Sequence, residues 1–231
     1  PDGLEWQTGM EEPDVGDPRA VKGGRVRLWI NTPFPGTLRA FGPGSENFFN
    51  YSAIDNVWLP LVGLHPETFR PIPGLADRWA LSADGKTVFY HLDPEAAYSD
   101  GRIVKAQDFL LNICLRTSGF ARDPFWTTLF RSMYDQITVY GDSIIALTLP
   151  SRGPLLPYMA CADFHPAHPG FYHDFNALFL ERYQWKVPPN TGGYMVVPAK
   201  IRIGESITLA RVKNWWAKDR KYYRHSCNAD Q

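Results

Sequence analysis

The chain has 231 residues, of which 44% are hydrophobic and 21% charged, as is typical of a globular protein with a sizeable core. Its 24 basic and 24 acidic residues cancel, so its charge favours neither nucleic acid nor an anionic membrane as a partner. No apolar run is long enough to predict a transmembrane helix, and we expect any secretion signal to be removed or missing, since the chain begins Pro-Asp-Gly.

The first quarter of the chain predicts few regular elements. Residues 1–22 are polar and rich in Asp, Glu, Gly and Pro, which indicates an extended arm. Residues 26–30 alternate in the manner of a strand. Residues 31–50 combine prolines, glycines and several phenylalanines, and such a long irregular loop is often functional. The spacing over residues 51–64 predicts a helix.

Two hairpins follow from their turn signals. Residues 71–83 lead into Asp84-Gly85, a dipeptide typical of tight turns between strands. Residues 137–139 and 144–149 flank a second such signal, Gly141-Asp142. The sequence therefore predicts antiparallel strand pairs on both sides of its central region.

The remaining elements complete an α+β protein with mixed β-sheets. Residues 105–117 show helical spacing, and Cys114 lies in their apolar pattern, so we expect it in the core. The three cysteines cannot pair completely, which argues against a disulfide framework. Residues 154–186 suggest short helices and loops. Residues 194–198 and 206–212 predict a last strand pair.

Three histidines, His165, His168 and His173, lie close together and are flanked by Asp163 and Asp174. Imidazole and carboxylate groups suit zinc or nickel, so a metal site, or a metallohydrolase built on it, is one interpretation. The spacings are broken by prolines and repeat no helical face, and the sequence has no HExxH or CxxC motif. We therefore favour loop histidines and predict no bound metal or other cofactor.

The acidic residues of the central region are better explained by local structure than by catalysis. Asp84 and Asp100 precede glycines in turns, where their side chains bond the local backbone. Asp108 falls in the first turn of the predicted helix, where negative charge favours the helix dipole. Since the sequence also lacks a GxSxG elbow and a phosphate-binding glycine loop, we predict no catalytic residues.

Aromatic residues on loops are the remaining signal for binding. Phenylalanines crowd the 31–50 loop, Phe125 and Trp126 follow Asp123-Pro124, and Trp215 and Trp216 follow the last hairpin. Most single aromatic residues belong to a core. Aromatic residues on long loops are better candidates for lining an apolar cleft.

Four segments, taken in order, resemble the family 5 extracellular solute-binding proteins of ABC importers, which include oligopeptide-, dipeptide- and nickel-binding proteins. The closest similarity is to the subgroup of microcin C and peptide-binding proteins. The segments are DPRAVKGGRVRLWI (17–30), PIPGLADRWALSADGKTVFYHLDPEAAYSDGRIVKAQDF (71–109), PPNTGGYMV (188–196) and SITLARVKNWWAKD (206–219).

Two departures from the family pattern carry expectations. Gly193 stands where the family has proline, so we expect a turn with more conformational freedom. Lys105 stands where a helix-capping threonine is usual, and lysine cannot accept a bond from the first-turn amides, so a weaker helix start is expected.

The resemblance implies a type II periplasmic-binding-protein fold of the α+β class with mixed β-sheets. Family members are much longer and have two lobes around a cleft, so this chain would be the N-terminal lobe, truncated before the second lobe. It implies an arm at 1–22, a discontinuous core domain formed by 23–50 and 160–231, and an inserted family 5 subdomain at 51–159.

The same resemblance implies a function. The chain would be the periplasmic component of an ABC importer that binds peptides, acts as a monomer without cofactor or nucleic acid, and contacts the membrane permease subunits. A nickel chelate, heme or an oligosaccharide is the alternative ligand. The family's cleft-lining segments correspond here to Asn31, Thr32 and Phe34 after the first strand, and to Phe125 and Trp126 after the signature helix.

Overall fold

Secondary structure is divided between short helices and three small antiparallel sheets in the computed structural model, which describes residues 3–53, 57–153, 156–162 and 164–231. The helices are α1 (Phe48–Ala53), α2 (Ala106–Thr117), α3 (Pro124–Met133), α4 (Leu156–Met159) and α5 (Phe179–Arg182). The strands are β1 (Val62–Leu64), β2 (Pro71–Pro73), β3 (Ala76–Leu81), β4 (Thr87–Leu92), β5 (Gln136–Tyr140), β6 (Ile144–Thr148), β7 (Tyr194–Arg202) and β8 (Ser206–Arg211). The predicted α+β class is confirmed.

The largest sheet has the strand order β3-β4-β6-β5, and both predicted hairpins are confirmed in it. Val88, Tyr90 and Leu92 alternate along β4 and are buried. Tyr90 pairs with Ile145 of β6, so two buried side chains meet across the central strands. These strand residues belong to the main hydrophobic core, to which α2, α3 and α4 also contribute buried residues.

The predicted helix over 105–117 is confirmed as α2, and its start has an acidic cap instead of a threonine. The Lys105 side chain makes no capping bond, as expected. The Asp108 carboxylate accepts the Lys105 backbone N–H at 3.0 Å and receives Arg102 through two bonds of 2.6 and 3.2 Å. It also accepts the Tyr98 hydroxyl at 3.1 Å, so the buried carboxylate anchors α2 to the preceding loop.

The expectation that Cys114 lies in the core is wrong, because Cys114 is exposed. The buried positions of α2 include Ala106, Phe109, Asn112 and Leu115, which recur every three residues and place Cys114 beside the buried stripe. Cys161 is the buried cysteine.

The paired tryptophans hold the PPNTGG loop in place. The indole N–H groups of Trp215 and Trp216 both donate to the Thr191 carbonyl, at 2.9 and 3.2 Å. The Thr191 hydroxyl in turn accepts the Leu59 backbone N–H at 3.1 Å. A Cβ at Gly193 would lie 2.4 Å from the Cys227 sulfur, so this glycine serves close packing and not the conformational freedom expected from the sequence.

The arm at the start of the chain is extended and docked along the rest of the protein. Gln7 forms an isolated β-bridge with Trp79 of β3. The buried His65 ring accepts backbone N–H groups at Nδ1, so its Nε2–H donates to the Pro13 carbonyl at 3.2 Å. Lys221 donates to the Met10 carbonyl at 2.7 Å. The proposed division into arm, core domain and inserted subdomain stays a prediction.

The prediction of a strand over residues 26–30 is wrong. Leu28 and Trp29 are 85% and 90% exposed, and the segment has no regular structure. Among the described residues, the Val26 N–H bonds the Gln231 carbonyl, and no strand runs beside the rest of the segment. A strand requires a neighbour for its backbone groups, and alternation alone does not supply one.

The prediction of a helix over residues 51–64 is also wrong. Helix α1 spans Phe48–Ala53, residues 54–56 lie outside the described part, and Val62–Leu64 form β1. Pro60 has no N–H to donate within a helix. The Pro60 carbonyl instead accepts the Leu75 N–H at 2.8 Å beside the β1–β2 pair.

Candidate functional site

The first turn of α3 sets the directions of the two predicted aromatic residues there. Asp123 is the N-cap and accepts the Trp126 backbone N–H at 3.3 Å, while Pro124 occupies the first helical position, where its missing N–H costs nothing. As a result Trp126 is buried, at 7% exposure, and Phe125 is 61% exposed. Their rings meet edge to face at 5.8 Å.

Arg116, in the last turn of α2, covers the Trp126 ring. Its guanidinium lies 4.0 Å from the Trp126 ring centre and 5.1 Å from that of Phe41, which is favourable cation–π geometry. Its Nε donates to the Asn112 side chain at 3.1 Å. The side chain is only 11% exposed, so the charge acts in a partly desolvated environment.

Glu46 of the 31–50 loop completes the group. Its carboxylate accepts the Trp126 indole N–H at 2.7 Å and lies 3.9 Å from Arg116 Nη1. The Glu46 side chain is 56% exposed, so negative charge faces solvent beside aromatic rings. We call Phe41, Glu46, Arg116, Phe125 and Trp126 the Trp126 cluster.

The loop approaches α3 closely because of a glycine. Gly42 has φ +86°, and a Cβ there would lie 2.5 Å from the Ala121 carbonyl oxygen. Only glycine accepts both conditions without strain. The structure thus brings together the two segments that the sequence predicts as cleft-lining, although at Glu46 and not at the predicted loop residues.

The predicted residues at the start of the loop form a different surface. The Phe34 ring lies 5.2 Å from the Phe49 ring and 6.3 Å from that of Trp185. Asn31 is exposed. The Thr32 hydroxyl oxygen is shielded from solvent and has no hydrogen-bond partner among the described residues.

The histidines do not converge on one point. His168 Nε2 lies 3.0 Å from Asp100, and its Nδ1 accepts the Phe171 N–H at 3.0 Å. His173 Nδ1 bonds the Gly170 carbonyl at 2.9 Å. The described part of the chain contains no group of three or more His, Cys, Asp or Glu side chains that could hold a metal, and Asp163 lies outside that part.

His165 packs against Trp58, with ring centres 6.2 Å apart. Loss of hydration, helped by the Arg116 charge, lowers the pKa of His165 to about 4. At neutral pH this imidazole is therefore uncharged.

Two cavities, of about 150 and 180 Å³, lie along the C-terminal segment. Neither is lined by Asn31, Thr32, Phe34, Phe125 or Trp126.

Sequence reasoning missed Glu46 and Arg116. Glu46 is the one acid of residues 31–50, and Arg116 lies in the last turn of α2 after the mostly apolar stretch 109–115. A single acid within an aromatic-rich stretch is a weak signal that could have drawn attention to Glu46, whereas no comparable signal marks Arg116.

Comparison with known proteins settles the class. The sequence profile described as "Bacterial extracellular solute-binding proteins, family 5 Middle" matches residues 70–225. The chain belongs to this family, whose members act outside the cytoplasm and deliver ligands to ABC transporter permeases. Within the residues described, no helix is long and apolar enough to cross a membrane.

Relatives from Brucella melitensis biotype 1 and Brucella abortus are 24% identical over 221 residues, which is 93% of this chain and 35% of theirs. The chain therefore spans about a third of the length of these curated relatives.

Solved structures share the fold at low identity. Haemophilus influenzae OppA in complex with RPPGFSPFR matches with a TM-score of 0.64 and 17% identity, covering 87% of this chain and 40% of its own. The Escherichia coli murein tripeptide binding protein MppA matches at 0.62 and 16%, covering 91% and 40%. Campylobacter jejuni NikZ in complex with Ni(L-His) matches at 0.59 and 18%, covering 86% and 37%. The expected family 5 lobe fold is confirmed.

Proposed function

We propose that the chain binds peptides outside the cytoplasm for an ABC importer, and that its contact surface includes the Trp126 cluster. The observation that carries this proposal is the half-exposed Glu46 carboxylate held by the Trp126 indole, whose ring also contacts the exposed Phe125 ring. A peptide presents an ammonium group and apolar side chains, and such a surface offers a partner to each.

The cluster is built to keep Glu46 in position. The Trp126 indole fixes one carboxylate oxygen at 2.7 Å. The other oxygen has no hydrogen bond within the described part of the chain and could accept bonds from a ligand ammonium group. Arg116 lies close enough to stabilise the charge. A ligand group that is held by a preorganised carboxylate loses less entropy on binding than one that meets a mobile side chain.

The second part of the proposed surface is formed by Asn31, Thr32 and Phe34. Asn31 is exposed and would bond a peptide backbone group. The shielded Thr32 hydroxyl, without a partner among the described residues, would bond such a group after a local rearrangement. Phe34 would supply an apolar wall. Because the chain spans about a third of its relatives' length, we propose that a second lobe closes over these residues and that ligand contact with both lobes stabilises closure.

We further propose a binding role without catalysis, in a periplasmic monomer that meets the permease subunits. A nickel chelate is the second candidate ligand, because the NikZ structure shares the fold and holds Ni(L-His).

The test is calorimetric titration of the 231-residue chain with a defined tripeptide series and, in parallel, with Ni(II)–histidine. Phe125→Ala should weaken peptide binding about tenfold, because a ligand-covered phenylalanine ring contributes one to two kcal/mol, roughly. Glu46→Gln should weaken peptides with a free amino terminus more than the same peptides after acetylation.

Ile203→Ala is the matched control, since Ile203 is 63% exposed and lies outside the proposed surface. Equal losses in Phe125→Ala and Ile203→Ala would refute the assignment of the surface. Saturable binding of Ni(II)–histidine without any peptide binding would show that the ligand is the nickel chelate and not a peptide.

A further inference from the structure

The 150 Å³ cavity is markedly basic, although the chain as a whole has no net charge. Its walls carry Lys22 of the arm, Arg211 at the end of β8, and three cations of the segment that follows, Lys213, Lys218 and Arg224. Asp219 is the single acidic residue among the lining positions. We call this cavity the basic pocket.

Part of this charge is compensated and part is not. Arg211 pairs with Asp230, Arg224 with Asp14, and Lys218 with Asp219. Among the described residues, neither Lys22 nor Lys213 has a carboxylate within 4.0 Å, the limit for a salt bridge. Lys22 donates to the Ser226 carbonyl, which directs its ammonium group to this region without neutralising it.

Trp215 lines the pocket, and its side chain is fixed by its contacts. Trp215 is 5% exposed, and its indole N–H donates a hydrogen bond to the Thr191 carbonyl. Its ring is further packed edge to face on Tyr223 at 5.6 Å. The cations therefore surround a fixed aromatic surface, in a volume many times that needed for one water molecule.

We propose that the basic pocket binds a phosphate group. The two ammonium groups that form no salt bridge among the described residues match a dianion in number. Lysine supplies point charges and arginine supplies planar forks, and both are common phosphate-binding groups in proteins. Lys213 and Lys218 are exposed at the rim, so either free phosphate or the phosphate of a larger ester has access. This inference does not rest on the proposed peptide binding, since the basic pocket shares no residue with the Trp126 cluster.

The experiment is a ³¹P NMR titration of the 231-residue chain with inorganic phosphate and, separately, glycerol 3-phosphate, with chloride keeping the ionic strength constant. We expect saturable binding with a dissociation constant of about 1 mM or tighter. A clearly tighter constant for glycerol 3-phosphate identifies a phosphate monoester as the ligand class, and equal constants identify the free anion.

Lys213→Gln should weaken binding about three- to fivefold, as expected for loss of one exposed charge contact, and Lys213→Gln/Lys218→Gln about tenfold. Lys200→Gln removes an exposed lysine of β7 outside the pocket and should leave the constant unchanged. Circular dichroism checks that all three variants fold. Absence of saturable binding below about 10 mM, or an equal loss in Lys200→Gln, would overturn the proposal.

Discussion

Acid should destabilise this protein through His165 in particular. The pKa of His165 is lowered from 6.5 to about 4 in the folded chain by loss of hydration and by the Arg116 charge. Between these two pKa values His165 therefore binds a proton in the unfolded chain but not in the folded chain. His165 therefore does not reduce the free energy of unfolding above pH 6.5, and it reduces that free energy increasingly as the pH falls from 6.5 towards 4.

The size of the effect follows from the two pKa values. At pH 5 the unfolded histidine is almost fully protonated and the folded one almost fully neutral, so the linkage contribution is about 2 kcal/mol. His165→Gln removes the titrating group, so the variant should lose about 2 kcal/mol less than the parent protein between pH 7 and pH 5.

The assay is equilibrium urea unfolding, followed by tryptophan fluorescence at the two pH values. His173→Gln is the matched control, because the His173 side chain is 68% exposed, and it should keep the pH dependence of the parent. If His165→Gln loses as much stability as the parent between the two pH values, the burial argument for this imidazole is wrong.

Three further outcomes test the packing. Gly192→Ala should lower the free energy of unfolding by about 3 kcal/mol, because its Cβ would lie 1.5 Å from the Val57 carbonyl oxygen. Gly119→Ala is the control, since its Cβ meets nothing within 4 Å, and equal urea midpoints for the two variants would contradict the geometry. Asp108→Asn should cost about 2 kcal/mol in the same assay, since it breaks a buried ion pair; a loss below about 0.5 kcal/mol would contradict this. Native thiol labelling at pH 8 should modify exposed Cys114 well before buried Cys161, whose pKa is raised to about 11 by burial; mass spectrometry reads the order.

The hairpins and α2 could be predicted because their signals are local. Asp84-Gly85 and Gly141-Asp142 demand turns, and the flanking residues alternate, so the strand pairs follow from a few adjacent positions. The periodicity over 105–117 likewise lies within one segment. Elements of this kind owe little to distant parts of the chain.

The failures share a physical cause, which is dependence on a distant partner. Residues 26–30 alternate as a strand does, but backbone pairing decides whether they form one. Residues 62–64 became a strand because residues 71–73 pair with them, and helix propensity does not contain that information.

The candidate site shows the same limit. Phe125 and Trp126 were identifiable as aromatic residues near a helix start, but Glu46 reaches Trp126 across 80 positions of sequence. Arg116 and Trp126 lie on different helices, so their stacking at 4.0 Å depends on how α2 packs on α3. Residue types at a site can be guessed from a pattern, whereas partnerships between them require the fold.

Burial also separates two roles within the Trp126 cluster. Trp126 is 7% exposed and Phe125 61%, so a ligand on this surface would meet the Phe125 ring and not the indole. The indole instead holds the Glu46 carboxylate, and Arg116 holds the indole. We therefore expect Trp126 to influence binding by positioning Glu46, which makes it a supporting residue of the surface that the sequence had suggested it would line.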